Sequence, residues 1–377
     1  MSNTDHPSFR WICTGDQALG EMLEAINAAK ISVRLEMYIF HVGPVGERFR
    51  DALIKACQRG VRVQVMVDAL GSITLPENFW TDFQMSGGEF RWFNRLALRR
   101  LGLRDHRKIL VCDENVAFIG GYNIAEEYEG DGLTRGWRDL GMKICGPLAG
   151  HLAVAFDEMF ALANQKHKFL ARLRKSRRDK IVKVPDAELL LSAPGRKYNP
   201  LIRSLRQDFN RARRVQIICA YFLPTWKIRR DLRRVVYNGG RVQLILPGKT
   251  DVPLSQMAAR SLYRRMLRAG IEIYEYEPQV LHAKLFVIDD VAYVGSANLD
   301  PRSLQLNYEL LVRLEQPELV KEARQIFIDD LPHCRKIERE SWRKERTFWQ
   351  RVKGRWAYFI LARLDPFLSR RQWKLMR

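Results

Sequence analysis

The sequence predicts two mixed α/β domains made by duplication, with one composite site between them. Three observations carry this reading. His106, Lys108 and Asp113 recur at the same mutual spacing as His282, Lys284 and Asp289. Each triplet is followed by an apolar run and a small-residue turn ending in asparagine, Gly120-Gly121-Tyr122-Asn123 in the first copy and Gly295-Ser296-Ala297-Asn298 in the second. The upstream segments repeat too, since Arg62-Val63-Gln64-Val65 is echoed by Arg241-Val242-Gln243-Leu244.

Residues 33–40 are apolar and β-prone, 46–59 have helical spacing, and 61–68 form a strand pattern after the Gly60 stop. The order strand, helix, strand returns at 215–222, 226–238 and 242–247. Each half therefore reads as a layered α/β unit. A chain of 377 residues is too long for one simple core. The expected division is a first domain at 1–165, a Lys/Arg-dense connector at 166–184, a second domain at 185–333 and a tail at 334–377.

With 64 Lys and Arg against 43 Asp and Glu, the net charge of +21 predicts an anionic partner, either nucleic acid or an acidic membrane surface. The six cysteines are scattered without a Cys-x-x-Cys pair, so neither a zinc site nor a disulfide framework is expected, and a reducing, cytoplasmic-side location fits. Residues 1–10 lack a basic region leading into an apolar one, and nowhere is there a run of roughly 20 apolar residues. Membrane contact is therefore expected to be peripheral.

Strand alternation places residues i and i+2 on one face, so His106 would point with Lys108 and His282 with Lys284. An imidazole beside a fixed ammonium makes a poor metal site, because protonated lysine repels a cation and cannot ligate. The same pair suits a phosphate, with nucleophile or acid from histidine and charge neutralisation from lysine. Phosphoryl chemistry without metal or cofactor is the expectation. Asp113 and Asp289 complete the triplets but fall in short turns, where turn-making and orientation of the site are their expected work. Asn123, Asn298 and Ser296 would offer neutral donors to phosphate oxygens, and the adjacent glycines permit close backbone approach. The stretch from Asp113 to Gly120 is one residue longer than that from Asp289 to Gly295, and a longer hairpin turn at Glu114-Asn115 absorbs the difference.

The doubled His-x-Lys-x4-Asp pattern, each copy followed by Gly-Gly/Ser-x-Asn, resembles the phospholipase D superfamily. Leu35-Glu36-Met37-Tyr38-Ile39, Trp137-Arg138-Asp139, and Asn298-Leu299-Asp300 with Arg302, Ser303, Asn307 and Glu309 are similar to bacterial cardiolipin synthases that lack N-terminal membrane spans. The resemblance implies two pseudo-symmetric α-β-α sandwich domains with the active site at their interface. It also implies phosphatidyl transfer from one phospholipid to the glycerol headgroup of phosphatidylglycerol through a phosphohistidine. By that analogy His106 is the nucleophile and His282 the general acid and base, although the residues alone do not distinguish them. Asp139 and Glu309 match the carboxylates that fix the histidine tautomers. The implied partner is an anionic phospholipid membrane carrying phosphatidylglycerol, with phosphatidylethanolamine a second candidate donor and no nucleic acid. The implied place is the cytoplasmic face of a bacterial inner membrane. A hydrolase or a phosphodiesterase nuclease of the same superfamily is the alternative.

Transfer to an alcohol requires a site shielded from water. Residues 80–83, 91–93 and 96–103 are candidates for its lip, with core packing the favoured alternative for the same side chains. The tail separates lipid from nucleic acid. Residues 335–377 carry 14 Lys and Arg against four acids, a net of +10. On a helical wheel Trp342, Phe348, Trp349, Val352, Trp356, Phe359 and Ile360 share one arc, with Arg343, Lys344 and Arg351 opposite. This reads as a basic amphipathic helix for a membrane interface.

Overall fold

The computed structural model describes residues 8–94, 102–163, 180–194, 199–345 and 347–365. The first half builds a seven-stranded sheet from β1 (Ser8–Ile12), β2 (Ser32–Met37), β3 (Arg62–Asp68), β4 (Glu89–Phe93), β5 (Ile109–Cys112), β6 (Val116–Gly120) and β7 (Gly141–Cys145). The second half adds β8 (Lys180–Val184), β9 (Ala187–Ser192), β10 (Arg214–Cys219), β11 (Arg241–Lys249), β12 (Glu272–Val280), β13 (Lys284–Ile288), β14 (Val291–Gly295), β15 (Glu309–Leu314) and β16 (Cys334–Lys336). The first sheet runs β1-β7-β6-β5-β2-β3-β4, and the second contains the same order as β9-β15-β14-β13-β10-β11-β12, with β8 and β16 added at its edges. The duplication read from the motifs thus extends to every strand of the first sheet.

Local sequence explains the elements. β2 is buried at all six positions, as a central strand covered on both faces must be. Thr14 caps the helix Gly15–Ala28 by accepting from the Gln17 N–H, and Pro44 opens the helix Pro44–Gln58, where its missing N–H costs nothing. Gly60, at φ 84°, makes the left-handed step that returns the chain to β3. The two first-half helices cover the outer face of their sheet, and Pro200–Phe209, Trp226–Tyr237 and Pro253–Arg268 do so in the second half.

Between the sheets lies a shared core. Ile109, Val111, Ile119 and Met142 of the first half pack in one cluster with Ile218, Leu285, Val294 and Leu310 of the second. The helices Pro147–Ala163 and Pro317–Asp330 contribute Leu148, Leu152, Leu319 and Phe327 to it. Burying each such side chain is worth about 1.5–3 kcal/mol, so the two halves form one body rather than two beads on a linker.

Two boundaries differ from the expectation. Most of the connector lies outside the described residues, but Lys180–Val184 is an antiparallel edge strand on β9. The segment expected as a tail, 334–377, is tied to the second half over its described residues. β16 pairs with β12, and Trp342, 7% exposed, packs on Tyr263 inside the second core. The amphipathic arc is also cut in two. Thr347 starts a new helix, Phe348–Phe359, with a capping box to Gln350. Gly354 and Ala357 are its buried residues, while Phe348, Trp349, Trp356 and Phe359 stay exposed. Phe367, Leu368 and Trp373 lie outside the described residues. Trp80, Phe83 and Phe93, expected at the site's lip, are fully buried, and Trp80 and Phe83 form an aromatic stack with Phe40, Phe79 and Phe90. Residues 96–101 of the third lip candidate are undescribed, and Leu103 is buried.

Candidate active site

The two histidines lie in the extended segments that lead into β5 and β13. In the first half the alternation is visible directly. His106 and Lys108 turn toward the site, while Arg107 turns away to a buried bidentate pair with Glu36, at 2.6 and 2.9 Å. Counting from the matched aspartates and strand registers, the second half has Ala283 and Ile218 at those positions, both buried and apolar. The backing of the two histidines therefore differs, charged behind one and apolar behind the other.

The halves meet through two small backbone junctions related by the pseudo-twofold. The Tyr308 N–H donates to Arg104 O at 2.9 Å and the His106 N–H to Tyr308 O at 3.0 Å. Symmetrically, the Arg138 N–H donates to Val280 O and the His282 N–H to Arg138 O, both at 2.8 Å. Each junction joins the segment before a histidine to the segment that carries the opposite half's carboxylate.

The result is a crossed pairing. His106 Nδ1 meets Glu309 Oε2 at 3.1 Å, and His282 Nδ1 meets Asp139 Oδ2 at 2.6 Å. Both carboxylates are essentially inaccessible to solvent. With each Nδ1 proton facing a carboxylate, each Nε2 keeps a lone pair for the pocket. Strand register identifies Asp139 and Glu309 as equivalents, since Gly120 pairs with Gly141 and Gly295 with Leu311. Ser296 Oγ donates to Glu309 Oε2 at 2.5 Å, and Asn307 Nδ2 to Oε1 at 3.2 Å.

Lys108 Nζ donates to His106 O at 2.7 Å, and Lys284 Nζ bonds His282 O and lies 2.9 Å from Nδ1 and 3.1 Å from Nε2 of that ring. Burial, helped by the charge of Lys108 and opposed by Glu309, pushes His106 down to about 4. His282 is also lowered, by burial and then Lys284, against Asp139. Burial and the neighbouring Lys284 bring Lys108 down to about 7, and Lys284 is lowered chiefly by burial. An anion bound among these two imidazoles and two lysines would stabilise their charged forms.

The other expected site residues divide. Asp113 and Asp289 sit at the far ends of β5 and β13 in left-handed conformations, φ 52° and 45°. The Asp113 carboxylate accepts the N–H groups of Lys30, Ile31 and Ser32, and that of Asp289 accepts those of Arg213 and Arg214. They fasten the starts of β2 and β10, and neither orients a histidine. The Asn123 amide is used internally, its Oδ1 accepting from the Ile39 N–H and its Nδ2 donating to Tyr128 Oη at 2.7 Å. Asn298 ties Tyr221 N–H in the same way, yet it also lines the pocket.

That pocket, about 450 Å³, holds both histidines. Its aromatic walls were not expected in any role. Tyr38 stands edge-on to His106 with ring centroids 4.7 Å apart, and Tyr128 and Trp137 flank His282 at 5.5 and 5.7 Å. The sequence signal for them was their place next to the motif turns and the Trp137-Arg138-Asp139 triplet. Arg302, Leu361 and Asp365 extend the lining toward the C-terminal helix.

The family described as cardiolipin synthase, PLD-like domain, matches residues 22–131 and 205–331. Cardiolipin synthase 1 of Bacillus anthracis is 30% identical, over 97% of this chain and 73% of that protein. Cardiolipin synthase B of Salmonella typhimurium is 31% identical, over 94% of this chain and 88% of that protein. The crystal structure of phosphatidylserine synthase from Haemophilus influenzae superposes with a TM-score of 0.74 over 98% of this chain and 95% of that one, at 16% identity, a likeness of fold.

Proposed function

For a chain that belongs to the phospholipase D-like family of cardiolipin synthases, we propose a phosphatidyl transfer in which His106 is the nucleophile and His282 the general acid and base. His106 Nε2 attacks the phosphorus of a phospholipid. The bond from phosphorus to the headgroup oxygen breaks, and that oxygen takes its electron pair and a proton from His282 Nε2, releasing glycerol when the donor is phosphatidylglycerol. The headgroup hydroxyl of a second phosphatidylglycerol then gives its proton to His282 and attacks phosphorus. The P–N bond breaks, its electron pair returns to His106, and cardiolipin leaves.

The observation that carries this assignment is the crossed pairing. Glu309 and Asp139 hold both histidines as Nδ1–H tautomers, with Nε2 facing one pocket. Burial keeps His106 unprotonated and ready to attack. The 2.6 Å bond to Asp139 lets His282 take up a proton when an anionic phosphate enters, the state an acid requires. Lys108 and Lys284 offset charge on the phosphoryl oxygens as the transition state forms.

The substrate reaches this pocket from a bilayer. Among the described residues no helix is long and apolar enough to cross a membrane. The exposed Phe348, Trp349, Trp356 and Phe359, with Arg351, Lys353 and Arg355 on the same helix, are suited to the headgroup region of an anionic leaflet. These features support our reading of a peripheral enzyme on a phosphatidylglycerol-bearing surface, at the cytoplasmic face of a bacterial inner membrane. The deciding experiment is mass spectrometry of products from phosphatidylglycerol vesicles, with and without phosphatidylethanolamine. Cardiolipin and glycerol are expected. Phosphatidic acid alone would make the protein a hydrolase, and no lipid product with cleavage of single-stranded DNA would make it a nuclease.

A further inference from the structure

Cardiolipin formation brings two phosphodiesters into one site. Lys108 and Lys284, bonded to the carbonyls of their own histidines, serve the phosphorus that reacts. The acceptor lipid carries its own phosphate, a glycerol's length from the hydroxyl that attacks, and that charge also needs a cation inside the pocket. Arg104 lines the pocket but is 2% exposed and faces the buried Asp68 at 3.6 Å. Arg302 lines it too, with its side chain 39% exposed, close enough to Tyr38 for its charge to act on that phenol. Tyr38 in turn stands against His106.

The Arg302 guanidinium is held by the Asp365 carboxylate. Its Nε and Nη2 donate to Asp365 Oδ2 and Oδ1, each at 2.6 Å. This two-pronged geometry is the one a guanidinium offers to two oxygens of a phosphate. Asp365 lies just past Ile360–Leu364, a π-helical turn that continues the helix Phe348–Phe359, and its side chain is 20% exposed. Such π turns are rare and occur frequently at functional sites.

We propose that Arg302 is the subsite for the acceptor lipid's own phosphate, and that Asp365 occupies this subsite until the lipid displaces it. This rests on the phosphatidyl-transfer reading above. The incoming phosphate takes over both N–H bonds, and the freed carboxylate turns to the solvent at the pocket mouth. Because Asp365 belongs to the helix that carries the exposed tryptophans, filling the acceptor site loosens the same segment that meets the bilayer.

The test offers two acceptors to one phosphatidyl-enzyme. Purified full-length protein is given phosphatidylglycerol vesicles and isotopically labelled free glycerol. Cardiolipin then reports transfer to an acceptor bearing a phosphate, and labelled phosphatidylglycerol reports transfer to one without. For Arg302→Gln the ratio of cardiolipin to labelled phosphatidylglycerol should fall about tenfold or more, with partial recovery in Arg302→Lys. Asp365→Asn, which frees the arginine, should lower the KM for phosphatidylglycerol in cardiolipin formation. An unchanged product ratio in Arg302→Gln overturns the subsite, and loss of cardiolipin in Asp365→Asn overturns the displacement. If the unaltered protein makes neither product, the phosphatidyl-transfer reading itself falls, and the subsite with it.

Discussion

A β-carbon placed on Gly121 would lie 2.0 Å from Asp139 Oδ1, so the carboxylate that serves His282 fills the space where a side chain at 121 would stand. The matching position in the second half is Ser296, which instead donates to Glu309. The two carboxylates are thus supported differently: Asp139 Oδ1 sits against Gly121 and accepts the Leu140 N–H at 2.8 Å, whereas Glu309 takes the Ser296 hydroxyl. Gly121→Ala should displace Asp139 and lower kcat by about 10–100-fold, as loss of an orienting partner does, with Tm little changed. Ser296→Ala should cost less, because Asn307 still holds Glu309. Wild-type turnover in Gly121→Ala would mean that Asp139 does not position His282.

His106→Ala and His282→Ala should each reduce cardiolipin formation by about a thousandfold or more, since each removes a partner from both steps. Asp139→Asn and Glu309→Gln should each cost about 10–100-fold. The informative comparison is the double variant Asp139→Asn with His282→Ala. It should be no worse than His282→Ala, because the carboxylate acts only through that ring. Additive losses would give Asp139 a separate task.

The pH profile should be displaced downward at both ends. Burial holds His106 near 4, so the acid limb of kcat/KM should lie near 4 instead of the ordinary histidine value of about 6.5. Burial, followed by Lys284, holds Lys108 near 7, so the alkaline limb should fall there, where a solvated lysine would stay charged to about 10.4. A bound phosphate stabilises the ammonium and should move the alkaline limb of kcat upward. The same depression of His106 makes its contribution to stability fully present above about 6.5 and lost as pH falls through 4. A kcat/KM flat from about pH 5 to 9 would show that Lys108 is not held near 7.

Truncation at residue 335 would remove strand pairing as well as any membrane contact, so point changes are needed to separate the two. Trp349→Ala with Trp356→Ala should weaken binding to phosphatidylglycerol vesicles about tenfold while leaving Tm unchanged, because both rings are exposed. Trp342→Ala should do the reverse, losing about 3–5 kcal/mol of stability, because its ring is packed on Tyr263. Unchanged vesicle binding in the double variant would assign the exposed rings to another partner.

Turnover should persist in EDTA. A histidine bonded to a buried carboxylate and crowded by lysine already has the charges that phosphoryl transfer needs. Loss of activity in chelator, restored by a divalent ion, would overturn this expectation.

The duplicated strand order was legible because matched residues at matched spacing need no knowledge of packing. His106, Lys108, His282 and Lys284 could be placed for the same reason. Asp139 and Glu309 were found by resemblance, but their exchange between halves was not, since a sequence does not state which segments lie side by side. Asp113 and Asp289 illustrate the opposite case. They recur faithfully because a left-handed turn and a set of backbone N–H groups recur, and repetition alone cannot separate that cause from chemistry. The tail was misjudged where the helical arc was carried through Thr347, although Thr347-Phe348-Trp349-Gln350 has the pattern of a new helix start. The wall around His282 was only partly legible: Tyr128 and Trp137 lie beside the motif residues, but they reach His282 from the opposite half, and spacing along the chain does not show that approach.

Two identical subunits would have to place the same side chains behind both histidines. In this single chain Arg107 and Glu36 stand behind one, and Ala283 and Ile218 behind the other. Covalent fusion of the halves is therefore what permits specialisation. Each imidazole can drift toward its own proton affinity, and a symmetric ancestor's two equivalent groups can become one that attacks and one that carries the proton.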